Sequence, residues 1–206
     1  MNHPLRLLEF ILLFFVLPIG LALPLPITLK LTAVGISVLY VIVIFIKKRN
    51  FSRMRLEEPN IIYVFRVAFL AITLFVAGIF IVKMYQPELL FNPVKQQPLF
   101  WLTILFVYTF LSVLPQEIIY RKFFLERYYI LFDSRRMLYF FNIICFSICH
   151  LFLHNVLVLI LTAVGGCFFL YTYEKEKNIW WTSLEHALYG NIIFTLGIGE
   201  MLAFPG

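Results

Sequence analysis

Apolar residues in this chain come in long runs, and polar residues gather in short gaps between them. Seven runs cover residues 7–23, 27–46, 61–84, 100–124, 137–153, 156–173 and 179–203, each near the about 20 residues that a helix needs to cross hydrocarbon. Short segments of alternating polarity, the mark of a transmembrane barrel, do not occur. In lipid every backbone N–H and C=O must be paired internally, so the runs predict helices. The expected fold is all-α, a polytopic transmembrane bundle of about seven helices. It forms one integral membrane domain over residues 1–206, with N-terminal helices within 1–84. The first run has a short basic start, and Pro18, Pro24 and Pro26 come without an Ala-x-Ala-like cleavage site, so it reads as a retained helix.

Composition sharpens this picture. With 62% hydrophobic and 14% charged residues the chain is too apolar for a soluble domain. Its net charge of +6 bears first on orientation and does not imply a nucleic-acid partner. Five basic residues lie between Lys47 and Arg55, and five more, Arg121, Lys122, Arg127, Arg135 and Arg136, around the gap after the fourth run. With seven spans, thirteen of the seventeen basic residues fall on the side of the N-terminus. That asymmetry predicts a cytoplasmic N-terminus and an outside C-terminus, in a plasma membrane expected to be bacterial. The basic face can meet anionic lipid heads at about 1 kcal/mol per residue near the surface. Trp180 and Trp181 open the last run where an interfacial aromatic belt would sit, although packing explains them equally well. Cys145, Cys149 and Cys167 lie inside predicted spans and read as small packing residues. No CxxC, phosphate loop, dinucleotide fingerprint or internal repeat occurs.

Ionisable groups inside a bilayer are expensive, and each is a functional hypothesis by default. Glu9 and Arg66 are isolated in sequence and read as structural, each paired with another helix or snorkelling; Glu200 lies near the outer end and is expected to reach water. The rest cluster in the second half. Gln116-Glu117-Ile-Ile-Tyr-Arg121 places Glu117 and Arg121 at i and i+4, in the favourable acid-before-base order. In the fifth run Phe146, His150 and His154 repeat at four-residue spacing, which predicts one stripe on a helix. In the seventh, His186 shares a face with Tyr189 and Gly190, while Asn191 is turned away by about 140°. Each signal alone has a bland reading as a satisfied core residue. A Glu, two His and an Arg on neighbouring membrane helices can instead converge on one buried polar site.

The order Glu-Glu-x-x-x-Arg, Phe-x-x-x-His and His-x-x-x-Asn, each on its own transmembrane helix, marks the CPBP (CAAX protease and bacteriocin-processing, or Abi) intramembrane proteases. This sequence resembles that family over roughly residues 100–200, through Gln116-Glu117-x-x-x-Arg121, Phe146-x-x-x-His150 and His186. Two departures stand out: Gln116 replaces the first Glu of the pair, and the residue four after His186 is Gly190, with Asn191 one position late. The resemblance implies that the first Glu and the second-motif His hold and activate a water, and that the third-motif His and the Asn stabilise the oxyanion. An amide is no base near neutral pH, so Gln116 cannot take the proton. Glu117 can, although adjacent helical residues point about 100° apart. A π-bulge or kink after Pro115 would correct its direction.

The expected function is therefore intramembrane endopeptidase, with Glu117 as general base, His150 sharing the water, His186 donating to the oxyanion, Arg121 fixing Glu117, and Gln116 and Asn191 assisting. The partners implied are the lipid bilayer and a membrane-embedded or lipid-anchored peptide substrate. No organic cofactor is implied, and a divalent metal such as zinc is left open, with Glu117, His150 and His186 as its ligands. The rival reading is a catalytically inactive member that binds a membrane peptide, scaffolds a partner or confers immunity. A transporter or proton pathway fits less well, because no inverted repeat is visible.

Overall fold

A computed structural model describes residues 3–47 and 58–202. Most of the basic stretch from Lys47 to Arg55, and Ala203 at the end of the last expected run, lie outside the described residues. Among the described residues there are helices and no strands. In chain order they are α1 (His3–Ala22), α2 (Ile27–Lys47), α3 (Ile61–Tyr85), the short α4 (Asn92–Gln96), α5 (Pro98–Leu131), α6 (Arg135–Ile148), α7 (Val156–Glu176), α8 (Ile179–Leu196) and the short α9 (Ile198–Met201). Six are long and apolar enough to cross a membrane: α1, α2, α3, α5, α6 with the turn after it, and α7. The chain is an integral, polytopic, all-α membrane protein. α8, expected as a seventh span, is not among the six. It buries Thr182, Ser183, Glu185 and His186, and these polar residues lower its apolar character.

Two of these helices carry wide turns ahead of a proline. In α1 the turn Leu12–Val16 is π-helical, with Leu17 N–H donating to Leu12 O, and Pro18 follows. In α5 the turn Tyr108–Val113 is π-helical, with Leu114 N–H donating to Thr109 O, and Pro115 follows. A proline ring collides with the carbonyl one regular turn earlier, and a widened turn moves that carbonyl away. A bulge does occur near Pro115. It precedes the proline, and a second π turn, Ile118–Phe123, follows the short α-helical step Leu114–Glu117.

The described chain forms two compact units. The first comprises Met1–Met54 and Ile118–Leu170. Its polar centre is Glu9, whose carboxylate pairs with Arg127 and accepts hydrogen bonds from Tyr128 Oη at 2.7 Å and Tyr40 Oη at 2.6 Å. The isolated Glu9 thus has the interhelical partner expected of it. Phe10, Phe14, Phe124 and Tyr128 form an aromatic cluster, with Phe14 and Phe124 edge to face at a centroid distance of 4.9 Å.

The second unit comprises Arg55–Glu117 and Tyr171–Gly206. Here Arg66 on α3 forms an ion pair with the buried Glu185 on α8 at 3.0 Å, again as a structural pair. Thr172 hydrogen-bonds both partners, and Tyr189 Oη donates to Glu185 Oε1 at 2.9 Å. Gly78 lets α3 approach Leu196 and Ile198, where an added Cβ would collide. α8 ends at Gly197, whose φ of 84° is left-handed and whose Cα lies against the Leu89 carbonyl.

Candidate active site

Gln116, Glu117, His186 and Asn191 lie in the second unit. Glu117 closes the four-residue α-helical step of α5 and is fully buried. His186 sits in the middle of α8, also buried, and its Nδ1 is 2.8 Å from Glu117 Oε1. The carboxylate accepts and the imidazole Nδ1–H donates, so the tautomer is fixed and Nε2 is left as the second reactive atom. A carboxylate taken out of water is stable only with such charge-assisted bonds.

Gln116 points elsewhere. Its Nε2 donates to Ser112 Oγ at 2.8 Å, one turn back on α5. Its Oε1 is buried and has no hydrogen-bond partner among the described residues. Asn191, the late third-motif amide, donates through Nδ2 to Thr109 Oγ1 at 3.2 Å, and so is engaged by α5 away from the His186 face. That face belongs to Gly190, one turn after His186. An added Cβ there would run into the Tyr108 ring and hydroxyl. Tyr108 meets His186 edge-on, centroids 6.0 Å apart, and Phe194 at 4.9 Å.

Arg121 and His150 lie in the first unit. Arg121 is fully buried: Nη1 donates to Asn142 Oδ1 at 2.5 Å, Nη2 lies 3.5 Å from Gly166 O, and the guanidinium stacks 4.8 Å above the Phe146 ring. Asn142 in turn donates to Tyr120 O at 2.6 Å. The expected helical stripe of Phe146, His150 and His154 needs correction. α6 stops at Ile148, His150 lies in the turn beyond it, and a 3₁₀ turn Leu151–Leu153 leads to His154, which is left-handed at φ 52°. The last carbonyls of a helix lack N–H partners. Phe146 O instead receives Cys149 Sγ at 3.1 Å and His150 Nδ1 at 2.9 Å. A carbonyl can only accept, so His150 Nδ1 carries a proton and donates.

Among the described residues no three His, Cys, Asp or Glu side chains are grouped so as to hold a metal ion. The optional ligand set Glu117, His150 and His186 gains no support from this arrangement. The cysteines divide: Cys145 is buried as expected and Cys149 half-buried, but Cys167 is exposed on α7 and is not a core packing residue.

The sequence pattern gives no role to Tyr108, Asn142, Thr172 or Glu185, which hold the polar centres together. Glu185 had one usable signal, as a second carboxylate in the middle of an apolar run beside His186. Tyr108 had none, since an aromatic in an apolar run reads as core.

No curated protein and no solved structure matches the chain. A family model does match: residues 98–192 fit the one described as type II CAAX prenyl endopeptidase Rce1-like. The stretch takes in Gln116-Glu117-x-x-x-Arg121, Phe146-x-x-x-His150, His186 and Asn191, and over it the chain is similar to the Rce1-like members of the CPBP family.

Proposed function

We propose that this protein is an intramembrane endopeptidase that cleaves membrane-embedded or lipid-anchored peptides, in a single catalytic domain spanning residues 1–206. The match of residues 98–192 to the Rce1-like family model supports the reaction class. The observation that carries the reading within this chain is the buried hydrogen bond between Glu117 and His186. With the imidazole protonated, Glu117 Oε1 holds Nδ1–H and Nε2–H is left to donate. Oε2 then serves as general base. Water attacks the scissile carbonyl carbon and gives its proton to Glu117, and the carbonyl electron pair moves onto oxygen, where Nε2–H meets it. Collapse breaks the C–N bond, and Glu117 returns the proton to the leaving nitrogen.

The remaining residues keep the roles that resemblance gives them, as part of this proposal. His150 keeps its expected share of the water, and Arg121 its expected role of fixing Glu117. Gln116 positions water or substrate through an amide oxygen that no protein donor among the described residues engages. Asn191 assists the oxyanion only indirectly, through Thr109 and the packing of α8 on α5.

The test is cleavage of a lipidated peptide library by the purified full chain in detergent. Wild type should cleave and Glu117→Gln should not. A wild type without cleavage under these conditions returns the chain to a peptide-binding role.

A further inference from the structure

The family pattern places an amide one turn after the third-motif histidine, and this chain has glycine there. Loss of a donor from an oxyanion site is a serious defect, since each is worth about 10²–10³ in kcat. The space is not empty of chemistry. Tyr108 enters from the π turn of α5, and its hydroxyl lies where a side chain at position 190 would begin. Its ring stands edge-on to His186 at 6.0 Å, on the α8 face that carries the imidazole. Phe194, at 4.9 Å, fixes the ring from the next turn. Asn191 cannot substitute, because its amide nitrogen is turned to Thr109.

We infer that the Tyr108 hydroxyl is a catalytic oxyanion donor beside His186, standing where the missing amide at Gly190 would act. This rests on the endopeptidase reading above. A phenol O–H is a competent donor to an alkoxide-like oxygen. When water adds to the carbonyl carbon, the C=O pair becomes the oxyanion lone pair. Tyr108 donates a hydrogen bond to it without giving up its proton, and the bond lengthens again when the carbonyl re-forms. Gly190 is then a necessary part of the arrangement, because any side chain there would displace the phenol.

The experiment uses the full chain in detergent with a fluorogenic peptide carrying a prenylated cysteine. Tyr108→Phe keeps the ring and removes only the donor. We expect kcat to fall by about 10²–10³ with KM unchanged. Binding of a peptide phosphinate, which resembles the tetrahedral intermediate, should weaken by a similar factor. A swap guards against a folding artefact: Tyr108→Ala/Gly190→Asn makes room for the amide and should recover kcat relative to Tyr108→Ala alone. If Tyr108→Phe keeps wild-type kcat in membranes where Glu117→Gln is inactive, the donor assignment is wrong and the endopeptidase reading stands. A rise in KM with kcat unchanged overturns it equally. A wild type that never cleaves the peptide overturns both.

Discussion

His186 donates through Nδ1 to Glu117 Oε1 across 2.8 Å, joining α8 to the proline-containing step of α5 inside one unit. The pair is buried, so changing either partner takes this hydrogen bond from the other.

The first prediction concerns the base. Glu117→Gln should abolish peptide cleavage, while Gln116→Ala should lower it only partly, because the amide positions and does not accept a proton. Acid–base groups contribute about 10²–10⁴-fold, well clear of assay noise. Progress curves on one lipidated peptide, with folding checked by thermal melting, decide it. Undiminished cleavage by Glu117→Gln would remove the carboxylate from the chemistry.

The second concerns His150. His150→Ala should reduce kcat while leaving the melting temperature close to that of wild type, since Cys149 Sγ still reaches the Phe146 carbonyl. A structural role alone would show the reverse, with lost stability and retained turnover in the surviving fraction.

Orientation gives the third. The basic residues predict a cytoplasmic N-terminus and an outside C-terminus. An alkaline-phosphatase fusion after Gly206 should be active and one after Arg55 inactive. The opposite result would reverse the topology, and two inactive fusions would show that α8 does not cross.

A fourth prediction rests on Glu9 and Arg127. Removing one member of a buried, hydrogen-bonded ion pair is costly, about 3–5 kcal/mol, whereas replacing both by apolar residues is far milder. Arg127→Met should therefore lower the melting temperature sharply, and Glu9→Met/Arg127→Met should regain part of it. Additive losses in the double variant would mean that the two residues act independently.

Gly197 supplies a fifth. A side chain in the left-handed region costs about 1–2 kcal/mol, and here it would also meet the Leu89 carbonyl. Gly197→Ala should destabilise the chain measurably in a detergent melt, while Gly20→Ala, where nothing lies within 4 Å of the added carbon, should not.

Six helices long and apolar enough to span a membrane were legible, because long apolar runs bounded by charge admit few other structures in lipid. That Pro115 disrupts the regular ladder was legible, though not that a bulge would form ahead of it. The end of α6 was not. Neither glycine nor proline marks it, and the Phe146 carbonyl near its end is met by the Cys149 thiol and the His150 imidazole. Interhelical partners were equally hidden. Arg66 and Glu185 stand 119 positions apart, and nothing local in either run names the other. The Tyr108 hydroxyl is the extreme case, because its meaning depends on an absent side chain at Gly190 on another helix.

The wide turn ahead of Pro115 also determines how this helix tolerates changes in length. A π turn holds one residue more than the regular turn it replaces, while the flanking segments keep their phase. Deleting a residue from Tyr108–Val113 would tighten the turn without rotating Glu117 off its bearing, but it would bring the Pro115 ring back against a carbonyl. The extra residue and the proline are thus one unit of inheritance: a shortened helix should remain intact only when residue 115 has also ceased to be proline.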